Sequence, residues 1–248
     1  MIELENVSKS FDNKIAIQNL SMQIEPGDIV GIVGANGAEK STIMRLMAGV
    51  LIPDKGKILI DGKSAQKSMA LREKIFFFPD EQYFFQGATI KETAQFYSIF
   101  YKSFDFNVFN RLCESFELDP KQKIVKLSKG MKRQVVMIIG IAIRPTYMIL
   151  DEVFDGIDSV AKQTLEHAME RLVTEYGTTI ITGSHNIREI EDICKRVCLI
   201  YKANMVLFKD VDTLIESYKD ESNSMSLEQI LLHEMEGLGY ASKTVDFI

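Results

Sequence analysis

Hydrophobic and polar positions along the chain change period several times, and each change marks an element. Asp28-Ile29-Val30-Gly31-Ile32-Val33 is a short apolar run ending at Gly34, the pattern of a buried strand. Beyond it, Ile43, Leu46, Met47 and Val50 fall at i, i+3, i+4 and i+7. That spacing predicts a helix, closed near Gly49 and Pro53. Ile2-Glu3-Leu4-Glu5 and Leu20-Ser21-Met22-Gln23-Ile24 alternate, and Lys57-Ile58-Leu59-Ile60 runs into the turn pair Asp61-Gly62. These three pieces predict an antiparallel sheet at the N-terminal end. From about Gly87 to Ile143 the pattern is mostly helical. Phe96, Tyr97, Phe100, Tyr101 and Phe104 recur there at helical spacing. Most of them are expected to pack inside a helical subdomain, with a docking surface as the alternative.

Two further apolar runs, Tyr147-Met148-Ile149-Leu150 and Thr179-Ile180-Ile181-Thr182, read as buried strands. Apolar strands alternating with helices imply a parallel sheet covered on both faces. Ligand chemistry in such sheets belongs at the carboxyl ends of the strands. Gly34, Asp151-Glu152 and Ser184-His185 all fall at such ends. Past about Asp210 the chain is more polar, with a loop around Lys219 to Ser224 and a helix around Leu227 to Met235.

Composition narrows the class. The 248 residues suffice for one sizeable core and a smaller subdomain. A net charge of -6 weighs against a nucleic-acid partner. Met1 to Glu5 lacks the start of a secretory signal, and no apolar stretch reaches the ~20 residues of a membrane span. Of the three cysteines, Cys194 and Cys198 are spaced to share a helix face. Two thiols make no metal site, and all three cysteines are expected to be structural, in a reducing cytosolic compartment.

The segment Gly34-Ala35-Asn36-Gly37-Ala38-Glu39-Lys40-Ser41-Thr42 nearly fits the phosphate-loop pattern G-x-x-x-x-G-K-[ST]. Its strand–loop–helix context is the one that pattern requires. Lys40 is expected to reach the terminal phosphates of a nucleotide, and Ser41 to place its hydroxyl on Mg²⁺. Backbone N–H groups through Asn36, Gly37, Ala38 and Thr42 would cradle anionic oxygens. Asp151, ending an apolar strand, suits Mg²⁺ directly or through water. The adjacent Glu152 suits activation of an attacking water.

Leu127-Ser128-Lys129-Gly130-Met131-Lys132-Arg133-Gln134 resembles the LSGGQ signature of ATP-binding cassette (ABC) ATPases, in an LSKGM form. Ser10-Phe11-Asp12 resembles that family's A-loop, Asp155-Gly156-Ile157-Asp158 its D-loop, and Ser184-His185 its switch histidine. The motifs occur in family order and cover about residues 1 to 210. The resemblance implies a P-loop NTPase (RecA-like) α/β core with an N-terminal antiparallel β subdomain and an inserted helical subdomain. The implied domains are 1–86 with 144–210, a helical subdomain at 87–143, and a C-terminal extension at 211–248. It implies ATP and Mg²⁺ as ligands and two subunits sandwiching two ATP molecules. Each site then joins one phosphate loop to Ser128 and Gly130 of the opposing signature. It further implies Phe11 stacking on adenine, and Lys40, Glu152 and His185 acting on the γ-phosphate. Transmembrane subunits on separate chains would supply the pathway, placing this chain on the cytoplasmic face of the membrane. The second nucleotide-binding subunit could be identical or different.

Two positions depart from the family. Phe76-Phe77-Phe78-Pro79-Asp80-Glu81 carries Asp80 where the Q-loop usually has glutamine. An aspartate there can still ligate Mg²⁺. Together with LSKGM and Ser226 to Leu232, it resembles the ABC-2 type exporter branch. Tyr83, Phe84 and Phe85 follow, where a docking groove is expected, with core packing as the equal alternative for these rings. Glu39 replaces the second glycine of the phosphate loop. If the position needs φ > 0, the cost is roughly 1–2 kcal/mol. A like charge at about 4 Å from phosphate costs about 4 kcal/mol at an effective dielectric near 20, before screening. The carboxylate is expected to impair binding or turnover, to pair with Lys40 and plug the site, or to turn outward. A single change amid an otherwise complete set reads as an engineered, variant or recent substitution, with a tolerated natural residue as the alternative, rather than as decay. The alternatives to a transport ATPase are a catalytically weak binding or regulatory subunit and a non-transport ABC ATPase.

Overall fold

A computed structural model of the chain describes residues 1–12, 14–34, 39–65, 68–219 and 225–237. In chain order its strands are β1 (Ile2–Phe11), β2 (Lys14–Ile24), β3 (Ile29–Val33), β4 (Lys55–Ile60) and β5 (Lys63–Ser64). They continue as β6 (Ile75–Phe78), β7 (Tyr147–Asp151), β8 (Thr179–Gly183), β9 (Arg196–Tyr201) and β10 (Asn204–Asp210). The helices are α1 (Lys40–Met47), α2 (Met69–Arg72), α3 (Ile90–Phe100), α4 (Phe106–Ser115) and α5 (Lys129–Ile143). They continue as α6 (Ser159–Tyr176), α7 (Ile187–Ile193), α8 (Val211–Ser217) and α9 (Leu227–Gly237). The chain divides into two compact units, Met1–Ser68 with Ile181–Ile248, and Met69–Ile180.

In the first unit, β1 pairs antiparallel with β2 and β4, placing Leu4 opposite Met22 and Ile58. Ile2, Leu4, Ile58 and Ile60 are buried as the alternation requires, and Val7 comes inward through a register shift after Leu4, where Asn6 takes positive φ. Asp61 and Gly62 both take positive φ, 51° and 71°, and turn β4 into β5 with Ile60 opposite Lys63. That is the tight hairpin turn the Asp-Gly pair favours. β3 is buried from Val30 to Val33 and pairs parallel with β9, with Ile32 opposite Cys198. A side chain at Gly31 would collide with Ile190 of α7, so the glycine allows that helix to lie close on β3.

β9 corrects the reading of the cysteines. Cys194 closes α7 as its C-cap, whereas Cys198 lies in β9, so the two share no helix face. Val197-Cys198-Leu199-Ile200 is buried at every position. A short run buried on both faces suits a central strand, and helical spacing of two residues does not override it. Burial pushes the Cys198 thiol up to about 12 and raises Cys194 as well. α9 follows an i, i+3, i+4, i+8 stripe. Leu227, Ile230, Leu231 and Met235 join Val33, Ile187, Leu199 and Leu214 in one apolar cluster.

In the second unit, β6 and β7 are parallel, with Phe76 opposite Met148. α5 is buried from Arg133 through Ile143. Gly140 lets it approach the Phe76 ring, where a Cβ would collide. α3 opens with a capping box. The Glu92 amide donates to Thr89 Oγ1 (3.1 Å) and the Thr89 amide to Glu92 Oε2 (2.8 Å).

The aromatic stripe divides between packing and exposure. The buried positions of α3 are Ile90, Thr93 and Ala94. Phe96 and Phe100 are exposed, Tyr97 and Tyr101 are only partly buried, and Phe104 lies beyond the helix. Small side chains and Tyr97, whose ring centroid lies 6.2 Å from that of buried Phe76, take the inward side, whereas Phe96 and Phe100 face outward. Phe85, Phe96 and Phe100 form an edge-on ladder with centroid spacings of 4.8 and 5.1 Å. Tyr101 instead anchors inward, its hydroxyl donating to the Ile75 carbonyl at 2.7 Å.

Candidate functional site

In the first unit, β3 delivers the chain to Gly34. Ala35, Asn36, Gly37 and Ala38 lie outside the described residues, so the expected contacts at Asn36, Gly37 and Ala38 carry no geometry. The chain re-enters at Glu39, the N-cap of α1. Lys40 is the first residue of α1. It is buried, and its Nζ donates to the Gly34 carbonyl at 2.8 Å. Ser41 is half-buried and Thr42 buried beside it. The first turn of α1 holds no acidic residue. A buried ammonium and the positive end of a helix dipole therefore coincide, a combination that favours an anion.

Glu39 adopts φ 66°, ψ 26°, the left-handed conformation that a glycine would take at no steric cost. Among the described residues its carboxylate meets Lys14 and Thr42. Oε1 meets Lys14 Nζ at 3.2 Å and Oε2 accepts from Thr42 Oγ1 at 3.0 Å. Lys14 was not legible as a site residue, because it lies 25 positions away on β2. Phe11 ends β1, opposite Lys14 in the hairpin register. Its ring is exposed on one side and has Lys9 Nζ 5.5 Å from its centroid.

His185 follows β8 and is half-buried. The turn that carries it is fixed by Ser184, whose Oγ donates to Glu189 Oε2 (2.8 Å) and accepts from the Asn186 amide (3.0 Å).

In the second unit, Ser128 caps α5 and its Oγ accepts from the Met131 amide at 3.2 Å. Gly130 packs against the backbone of Gly156, whose carbonyl oxygen any Cβ would strike. Lys129 adds an ion pair to Asp155 at 2.7 Å. The signature turn and the Asp155–Asp158 segment are thus fitted to each other within one chain. Asp151 ends β7 fully buried. Glu152 follows at φ 49°, a conformation that costs a non-glycine residue about 1–3 kcal/mol.

Arg133 joins these parts. It is fully buried, and Nη2 meets Asp80 Oδ1 at 2.6 Å while Nη1 donates to the Glu152 carbonyl. Nη2 also lies 3.5 Å from Asp155 Oδ2. Sequence reading placed Arg133 only inside the signature string. A charged residue at the start of an otherwise apolar helical run was the available signal. Phe11, Lys40 and His185 belong to the first unit, and Asp80, Ser128, Gly130, Asp151 and Glu152 to the second.

The described arrangement fits known proteins. The ABC transporter family pattern matches residues 17–155. The chain is 33% identical over 218 residues to the ABC transporter ATP-binding protein YtrB of Bacillus subtilis (strain 168), covering 88% of this chain and 75% of that one. It is 32% identical to the SkfA peptide export ATP-binding protein SkfE of the same organism, covering 81% and 85%. It is 30% identical to the Nod factor export ATP-binding protein I of Rhizobium sp. (strain N33), covering 88% and 73%. The chain belongs to the ABC transporter family. Its fold matches a solved structure described as an ATP binding subunit of an ABC transporter, with a TM-score of 0.84 at 21% identity, covering 95% and 99%. It also matches the dimeric structure of a bacterial ABC transporter cassette, MJ0796, with a TM-score of 0.77 at 21% identity, covering 85% and 98%. The mixed α/β core, antiparallel β subdomain and helical insertion are those of the ABC ATPase cassette. Among the described residues, no helix is long and apolar enough to cross a membrane.

Proposed function

We propose that this chain is the ATP-binding subunit that drives an export-type ABC transporter through ATP binding, pairing of two cassettes and hydrolysis. The observation that carries the reading is Lys40, buried at the first turn of α1 directly after β3 with its ammonium turned back to the Gly34 carbonyl. That is the posture of a lysine set to meet phosphates. Lys40, Ser41 and Thr42, with Asn36, Gly37 and Ala38, would hold the triphosphate, and Phe11 would stack on the base. The donor chemistry also fits Mg²⁺. Asp151 offers a buried carboxylate at a strand end, and Ser41 and Asp80 offer further hard oxygens. Bound there, Mg²⁺ would neutralise charge on the β- and γ-phosphates.

Glu152 would take a proton from the attacking water, and His185 would contact the γ-phosphate. Ser128 and Gly130, at the N-terminus of α5, would serve the phosphate held by a second cassette. The relatives named for Nod factor and SkfA peptide export support export as the direction. The dimeric cassette supports pairing, with an identical or different subunit. Transmembrane subunits would dock on the exposed rings of Tyr83, Phe85 and Phe100, placing the chain on the cytoplasmic face of the membrane.

One observation favours a second reading, a binding subunit with weak turnover. Glu39 puts a carboxylate at the end of the phosphate loop. Steady-state ATPase and ATP binding of the unchanged chain, Lys40→Ala and Glu39→Gly separate the two. A transport ATPase loses binding and turnover in Lys40→Ala and hydrolyses ATP in the unchanged chain. Turnover appearing only in Glu39→Gly supports the weak subunit. ATP binding that survives Lys40→Ala unaltered overturns both.

A further inference from the structure

Among the described residues, the Glu39 carboxylate meets Lys14 and Thr42, and the phosphate-loop lysine meets a different group. Lys40 Nζ is directed to the Gly34 carbonyl. The Glu39 carboxylate is directed to Lys14 on the β1–β2 hairpin and to the hydroxyl of Thr42. Each carboxylate oxygen is engaged by one of these donors. The left-handed backbone at φ 66° sets where the side chain leaves the main chain. The carboxylate is 23% exposed, whereas Lys14 is 76% exposed. So exposed a lysine adds little to folding stability. What it does change is where a negative charge sits, one residue before Lys40. Lys14 is also the residue opposite Phe11 in the hairpin, so the ring proposed for the base and the cation holding Glu39 are cross-strand neighbours.

We infer that Lys14 is a charge-positioning residue of the nucleotide site: with Thr42 it holds the Glu39 carboxylate off the phosphates, and ATP binding depends on it while position 39 is glutamate. The inference rests on the proposed reading of the phosphate loop. It accounts for a carboxylate replacing glycine in a loop whose other parts are intact. An ammonium neutralises the charge at short range, and a hydroxyl fixes its direction.

The test is a double-mutant cycle on the full chain, with Mg-ATP affinity measured by calorimetric titration and folding followed by thermal melting. The forms are the unchanged chain, Lys14→Met, Lys14→Arg, Glu39→Gly and Lys14→Met with Glu39→Gly. Lys14→Met is expected to weaken ATP binding about ten-fold with no change in melting temperature. Lys14→Arg should retain most of the affinity. On the Glu39→Gly background, Lys14→Met should change affinity less than about two-fold. Equal weakening on both backgrounds overturns the inference, because Lys14 would then act on nucleotide directly or through the hairpin. So does no weakening on either background, or ATP binding confined to the Glu39→Gly forms. Absence of ATP binding in every form, Glu39→Gly included, overturns the proposed function itself.

Discussion

Replacing Arg133 with methionine removes a fully buried guanidinium while keeping most of its apolar volume. Four attachments are lost: the 2.6 Å pair with the Asp80 carboxylate, the 3.3 Å bond to the Asp80 carbonyl, the bond to the Glu152 carbonyl and the weaker approach to Asp155. Removing one member of a buried ion pair costs about 3–5 kcal/mol when the other charge remains buried. Here Asp80 is 49% exposed and Asp155 44% exposed. Both carboxylates can therefore be rehydrated, which brings the expected loss to about 2–3 kcal/mol. For a chain of this size that corresponds to a fall of about 4–12 °C in Tm. Circular-dichroism melting measures it. Arg133→Lys keeps the charge but loses the planar fork, so it should recover only part of the loss. The kinetic signature is separate. Arg133 holds the backbone of Glu152, so kcat should fall at least about ten-fold with KM for ATP shifting under about three-fold. A methionine variant with unchanged Tm and ATPase would refute the view that Arg133 ties Asp80 to Glu152.

Two other outcomes follow from local geometry. Gly130→Ala drives a Cβ into the Gly156 carbonyl, and backbone yields less readily than a flexible side chain. The variant should lose about 1–3 kcal/mol by thermal melting and most of its ATPase. Asp105 caps α4. The Val108 amide, then the Asn107 amide and the Arg144 guanidinium, hold its carboxyl below the ordinary 3.8. With the folded value below the unfolded one, its stabilisation is full above about pH 5 and fades as pH falls through 3.8 toward the folded value. Asp105→Asn should flatten the decline of Tm between about pH 5 and pH 3, whereas an unchanged slope would show that the cap does not titrate there.

What the sequence made legible was local. Ser128 as a cap, the Asp61-Gly62 turn and the strand that feeds Gly34 are each set by a few neighbouring residues, and each appears in the fold. The pairs that hold the site depend on tertiary placement. Arg133 lies 53 positions from Asp80 and Lys14 lies 25 from Glu39, and no periodicity connects such residues. β9 escaped notice because a four-residue apolar run is equally a strand or a turn of buried helix. The rings at α3 were legible only in part, for a related reason: Tyr97 and Tyr101 pack inward while Phe96 and Phe100 do not. Helical spacing shows that residues share a face, but not that the face is inward, and Thr93 and Ala94 took the buried side.

Glu39 shows why a motif departure has to be divided into its physical parts. Glycine at that position supplies two things: freedom to take positive φ, and the absence of charge beside the phosphates. Glutamate supplies neither by itself. The backbone requirement is still met, since Glu39 takes φ 66°, at a strain of roughly 1–2 kcal/mol. Nothing on Glu39 can meet the charge requirement. It is addressed from outside, by a lysine on the neighbouring hairpin and a hydroxyl one turn into α1. The strain is a fixed cost of the fold, whereas the charge is neutralised only while its partners remain. Whether this phosphate loop works therefore turns on Lys14 and Thr42 as much as on Glu39.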